Sequence, residues 1–146
     1  MRARCSLYSV AVVAWTTWER SWSEVREFLA QIDWIGGEDA YPIDIIDSVI
    51  AAGADRLLAV DTSMHDLVIA PAPATPRAAT DVIVVCARGC IRSHPLRTIR
   101  IDFDRHNGKP TTSVRQSGEA LGLFWRFIED EFGILPSLPL RPDDDR

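Results

Sequence analysis

Asp102, Asp104 and His106 stand at alternate positions of a short run, D-x-D-x-H. On an extended strand alternate residues point to one side, and those two apart are about 7 Å from each other by strand rise. Two carboxylates so placed could share a divalent cation, with the imidazole as a further ligand or a base. Such a centre would suit a small metal-dependent hydrolase acting on a phosphorylated or nucleic-acid substrate. Its remaining oxygen ligands would have to come from elsewhere, and Asp61 and Asp66 are the candidates. Arg100 and Arg105 are neighbours, so ion pairs on a solvated sheet face account for the same residues.

A second constellation is Cys86, Cys90 and His94, spaced C-x3-C-x3-H. Thiolate and imidazole are what Zn²⁺ prefers, but a zinc knuckle places two residues between its cysteines, as does a redox pair. A cysteine at the end of an apolar run also serves as a small apolar group. Ser63, His65 and Asp66 are the residue types of a hydrolase triad, yet three such groups within four positions of one loop do not reach triad geometry. No G-x-S-x-G elbow is present. These patterns assign no catalytic residue, no metal and no cofactor.

The third pattern is charge. The chain is acidic, with a formal net charge of −5, but Arg88, Arg92, Arg97, Arg100, Arg105, Lys109 and Arg115 crowd one stretch that holds only Asp102 and Asp104 in opposition. A basic middle in an acidic protein meets an anionic ligand or is neutralised by its own flanks. Nucleic-acid binders of this kind interleave aromatic side chains for stacking. Only Phe103 is available here, and its parity points to the core, so a negatively charged protein is the better partner. The binding candidates are Arg88, Arg92, Arg97, Arg100, Asp102, Asp104, Arg105 and His106.

At 146 residues the chain suffices for one domain with a real core, and 47 % apolar and 25 % charged residues are ordinary for a globular protein. No apolar run is long enough to span a bilayer. The N-terminal arginines and the apolar stretch after them lack a convincing signal-peptide cleavage site. Three cysteines, an odd number, suit reduced thiols in a cytoplasm better than a disulfide framework.

The elements that must hold these residues follow from periodicity. Leu7 to Ala14 is apolar and β-branched and reads as a strand, followed by a helix over 21–32 opened by Ser21 and Glu24 as a capping box. A competing reading runs one helix from Val10 to Ile32, with Trp15, Trp18 and Trp22 on a heptad seam through which two copies could pair. Tyr41-Pro42 opens a helix with Ile43, Ile46, Val49 and Ile50 inward, stopped by Gly53. Strands are expected at 57–60 and 67–70, joined by the six residues Asp61 to Asp66. After the Pro-rich loop of 71–80, the apolar run 82–87 reads as a central strand. Thr98 to Asp104 alternates, with Ile99, Ile101 and Phe103 inward and Arg100, Asp102 and Asp104 on a wet face. Asn107-Gly108 marks a turn, and 110–115 returns as an edge strand. Ser117 caps a last helix whose buried stripe is Leu121, Phe124, Trp125, Ile128 and Phe132, ended by Gly133.

The expected fold is a single α+β domain over 1–133, an antiparallel sheet of four to six strands with about three helices packed on one face, and a Pro-rich acidic tail over 134–146. Its expected core is Val25, Leu29, Ile46, Val49, Leu57, Ile69, Ile83, Val85, Ile99, Ile101, Leu121, Phe124, Trp125 and Ile128. The functional expectation is a non-enzymatic protein-interaction module (an adaptor, a regulator or an antitoxin-like inhibitor), cytoplasmic, with homodimer formation left open. The alternative is the metal-dependent hydrolase of Asp102, Asp104 and His106.

Overall fold

A computed structural model describes residues 16–32, 35, 37–76, 80–88, 92 and 94–135. The expected strand at 7–14, Trp15, Cys90 and all but the first two residues of the expected tail lie outside them. The described residues form an α+β domain: a five-stranded open antiparallel sheet with three helices on one face. Helices α1 (Trp22–Ala30) and α2 (Tyr41–Ala51) come first, and the sheet follows as an unbroken meander, β1-β2-β3-β4-β5. The strands are β1 (Leu58–Ser63), β2 (Asp66–Pro71), β3 (Val82–Cys86), β4 (Thr98–Asp104) and β5 (Thr111–Gln116). Helix α3 (Ala120–Phe127) runs on into a π turn, Ile128–Phe132. Among the described residues no helix is long and apolar enough to cross a membrane.

Local chemistry sets the ends of these elements. Ser21 is extended, and its hydroxyl accepts the Glu24 amide at 3.1 Å and donates to the Glu24 carboxylate, so α1 begins at Trp22. With Trp18 at φ 59° and residues 16–20 non-helical, the one-helix reading does not hold over the described residues. Gly53 and Gly133 take φ of 69° and 66°, where a Cβ is costly, and end their helices as expected.

One sheet face is the main core. Leu58, Val60, Leu67, Ile69, Ile83, Val85, Ile99, Ile101 and Phe103 meet Val25 and Leu29 of α1, Ile45, Ile46 and Val49 of α2, and Leu123, Phe124, Phe127 and Ile128 of the last helix. Burying each such side chain contributes roughly 1.5–3 kcal/mol. Directed bonds fix the helices: Trp125 Nε1 donates to Ser48 Oγ at 2.7 Å, Arg26 holds Asp47 with two bonds, and the Tyr41 hydroxyl donates to the Cys86 carbonyl at 2.7 Å.

Several expected details shift. The buried stripe of α3 is Ala120, Leu123, Phe124 and Phe127 rather than Leu121, Phe124 and Trp125; Leu121 is 41 % exposed and Trp125 only partly covered. The stripe turns because Gln116, not Ser117, forms the capping box with Glu119, and a 3-10 turn precedes Ala120. On α2 the inward set is Tyr41, Ile45, Ile46 and Val49, while Ile50 is exposed. Leu57 is 53 % exposed and Leu58 takes its place in the core. The β1–β2 connection is two residues, Met64 and His65, since Ser63 pairs with Asp66. The largest difference is the other sheet face. At β4 it reads as wet in the sequence, yet Asp102 and Asp104 are buried there, on the face that also holds the apolar cluster of Val68, Ala70, Val82, Val84 and Cys86.

Candidate functional site

Burial of Asp102 and Asp104 is made tolerable by Arg92. Asp102 and Asp104 are 2 % and 3 % exposed and Arg92 is 8 % exposed. Arg92 Nη1 donates to Asp102 Oδ2 at 2.6 Å and to Asp104 Oδ1 at 3.2 Å, and Nη2 donates to Asp104 Oδ2 at 2.7 Å. Arg100 adds two bonds to Asp102, Nε to Oδ1 at 2.9 Å and Nη2 to Oδ2 at 3.2 Å. The strand alternation places both carboxylates on one side as expected, but a guanidinium stands where a cation was considered. Burial alone would lower the Arg92 guanidinium pKa. The bonds and charges of Asp104 and Asp102 outweigh it and raise it further above its ordinary value. Arg92, a binding candidate by sequence, is instead held in this internal pair; it lies in the irregular β3–β4 connection, ten residues before Asp102, where no periodicity tells which way a side chain turns.

His106 does not join this group. Its Nδ1 lies 3.0 Å from Asp81 Oδ1, its backbone amide donates to the same oxygen, and its Nε2 lies 3.0 Å from Asn107 Nδ2. Desolvation alone would raise Asp81, but the His106 bonds prevail and lower its carboxyl below its ordinary value. The D-x-D-x-H reading is therefore corrected: its two carboxylates and its imidazole belong to separate networks. Among the described residues no three of the metal-ligating types form a cluster fit for a metal ion.

The other acidic candidates are also engaged. Asp61 accepts the amides of Thr17 at 2.9 Å and Trp18 at 3.1 Å through Oδ2, and that of Thr62 at 2.8 Å through Oδ1. Asp66 is fully buried and accepts the Ala87 amide at 2.7 Å, whereas the ring of the adjacent His65 lies against Phe28 of α1. Ser63, His65 and Asp66 are therefore not aimed at one point. Cys86 is buried and its thiol is pushed up, first by burial and then by Asp102 and Asp66, so it stays protonated and unreactive. His94 Nδ1 lies 3.0 Å from Thr98 Oγ1, and Cys90 lies outside the described residues.

The remaining basic candidates divide by role. Arg88 pairs with Asp39 at 3.2 Å. Arg105 clamps the β4–β5 hairpin: it donates to the Lys109 carbonyl and to Thr111 Oγ1, lies 4.6 Å over the Phe103 ring and pairs with Glu131. Arg97, Lys109 and Arg115 are exposed around β5. Lys109 precedes that strand, Arg115 lies within it, and Arg97 accepts the Ser117 amide through its carbonyl just past the strand's end. β5 itself is exposed at every position except Ser113.

The features together define an α+β domain with an internally neutralised carboxylate pair on one side of β4 and an exposed, positively flanked edge strand on the other. No family model, curated protein or solved structure matches this chain.

Proposed function

We propose that this protein is a non-catalytic interaction module whose partner is an acidic protein. The observation that carries this reading is β5: an exposed edge strand with Lys109 before it, Arg115 within it and Arg97 beside its end, in a chain of net charge −5. Positive charge concentrated at one surface steers a negatively charged partner and sets its register more than it adds affinity. The competing hydrolase reading asks a metal ion to displace Arg92 from both Asp102 and Asp104, and asks His106 to leave Asp81. An unpaired, buried Cys86 supports a reducing, cytoplasmic setting.

Two measurements on the purified full chain test the reading. Titration with poly-glutamate should show saturable binding that weakens steeply with salt, as exposed charge contacts are screened. Thermal melts with Mg²⁺, Mn²⁺ or Zn²⁺ should leave the midpoint unmoved. A metal-dependent rise in the wild type that Asp104→Asn removes, together with hydrolysis of a phosphodiester substrate, would overturn the reading in favour of the enzyme.

A further inference from the structure

We propose that β5 takes up an extended acidic segment of a partner protein as a sixth strand of the sheet, an inference that rests on the interaction reading above and names its mode. Backbone register carries the argument. Ile99 pairs with Arg115 and Ile101 with Ser113, and the same register puts Arg97 opposite Ser117. The Ser117 amide donates to the Arg97 carbonyl at 2.9 Å, so that pair is a hydrogen-bonded one. Bonded and non-bonded pairs alternate in an antiparallel ladder. Thr111, Ser113 and Arg115 therefore direct their backbone groups to β4, and Thr112, Val114 and Gln116 direct theirs outward. Two side-chain contacts agree with this: the Gln116 amide donates to Glu119 Oε2 at 3.3 Å, and the Val114 carbonyl accepts from Arg115 Nη1 at 2.9 Å.

The two edges of the described sheet differ in burial: no position of β1 is exposed, whereas β5 is exposed everywhere except Ser113. At β1 the Trp22 indole donates to the Leu58 carbonyl at 2.8 Å and Asp61 accepts the Thr62 amide, two outward groups taken by side chains. At β5 the Val114 carbonyl and the Gln116 amide are likewise taken, both by exposed side chains. The amide and carbonyl of Thr112 and the amide of Val114 remain as a template for strand addition.

Side chains state the chemistry of the occupant. Arg115 lies on the helix-covered side of the ribbon with Thr111 and Ser113, opposite Ile99, Phe103 and Ile101, while Val114, 38 % exposed, lies on the other side with Thr112 and Gln116. An incoming strand with carboxylates at alternate positions would place them beside Arg115, drawing its guanidinium off the Val114 carbonyl and freeing that acceptor. Small apolar residues in between would cover Val114. A second copy of this chain is the poorer occupant, because it would set Arg115 and Lys109 of each copy near like charges.

The test uses the full-length chain and the capped peptide acetyl-Glu-Val-Glu-Val-Glu-Val-amide. In the free protein the amides of Thr112 and Val114 should exchange with solvent quickly and those of Thr111, Ser113 and Arg115 slowly. Saturating peptide should slow Thr112 and Val114 by about tenfold or more, the equivalent of one or two added hydrogen bonds. N-methylation of alternate peptide amides should weaken binding by a similar factor. Thr112→Pro, which removes an outward amide and leaves the ladder to β4 intact, should do the same at an unchanged melting midpoint; if that variant unfolds, the N-methyl peptide decides. Equal binding of the methylated peptide would overturn strand addition and leave the interaction reading standing, and so would binding of poly-glutamate without the peptide. Protection of Thr112 and Val114 that rises with protein concentration, with a dimer mass in sedimentation, would overturn the acidic partner in favour of a second copy. Failure of both probes would remove both readings.

Discussion

Arg92 carries a charge into a place where a lone guanidinium could not stay. Asp102 and Asp104 face the same constraint from the other side, and each is tolerable only because the others are there. Such a cluster is weak grounds for stability as a whole, but breaking it from one side leaves buried charge without a partner. Arg92→Met should therefore lower unfolding free energy by about 3–5 kcal/mol in urea titrations at neutral pH. Adding Asp104→Asn should return part of that loss, because the amide neutralises the stranded carboxylate while Arg100 still serves Asp102. A loss below about 1 kcal/mol for Arg92→Met, the range of a surface pair, would show that the cluster is open to water.

At the scale of the element, the sheet's hairpins show how little turn chemistry a tight connection can reveal. The β4–β5 turn announces itself through Asn107-Gly108. The β1–β2 turn does not: its two residues are Met64 and His65, and Met64 sits at φ 56° without a glycine's freedom. A Cβ in that region costs about 1–2 kcal/mol, and the Met64 side chain recovers little by burial, being 63 % exposed. Met64→Gly should raise stability by about 0.5–1 kcal/mol after the added backbone entropy is counted, read as a higher midpoint in thermal melts. Met64→Val should lower it, since a β-branched residue fits that region worst. The same scale explains the Trp residues that read as a heptad ladder. Trp22 packs in the main core and Trp18 against the cluster of Val68, Ala70, Val82, Val84 and Cys86 on the opposite sheet face, so the chain between them wraps the β1 edge.

For the whole molecule, an acidic chain should lose stability in acid through the carboxylates that folding holds ionised. Asp47 is lowered by its bonds to Arg26. Asp81 is lowered because its His106 bonds outweigh a desolvation that would raise it. A carboxyl with a depressed folded pKa stabilises the native state above its unfolded value, here 3.8, and that contribution is lost as pH falls through the folded value. Melting midpoints should thus be level from neutral pH to about pH 5 and fall below about pH 4. Asp81→Asn should flatten part of that fall, and an unchanged acid limb in this variant would show that Asp81 contributes nothing to it.

Much of the architecture follows from local pattern. The period of two in Thr98 to Asp104, the fully apolar run of Val82 to Cys86, and the glycine stops at Gly53 and Gly133 are statements about a few neighbouring residues, and a few neighbours are enough to make them. The α+β class and the edge position of β5 follow from the same signals. Tertiary structure alone decided which face of β4 is dry. The alternation separates Ile99, Ile101 and Phe103 from Asp102 and Asp104, but burial of the second set depends on what covers it, and Arg92 folds back onto it from the irregular connection before β4. Tertiary structure also sent His106 to Asp81, 25 positions back, instead of to its near neighbour Asp104. Charged residues two apart on a strand look alike whether they await a ligand or an arginine. The physical difference lies in desolvation, and desolvation belongs to the packed molecule rather than to any stretch of it.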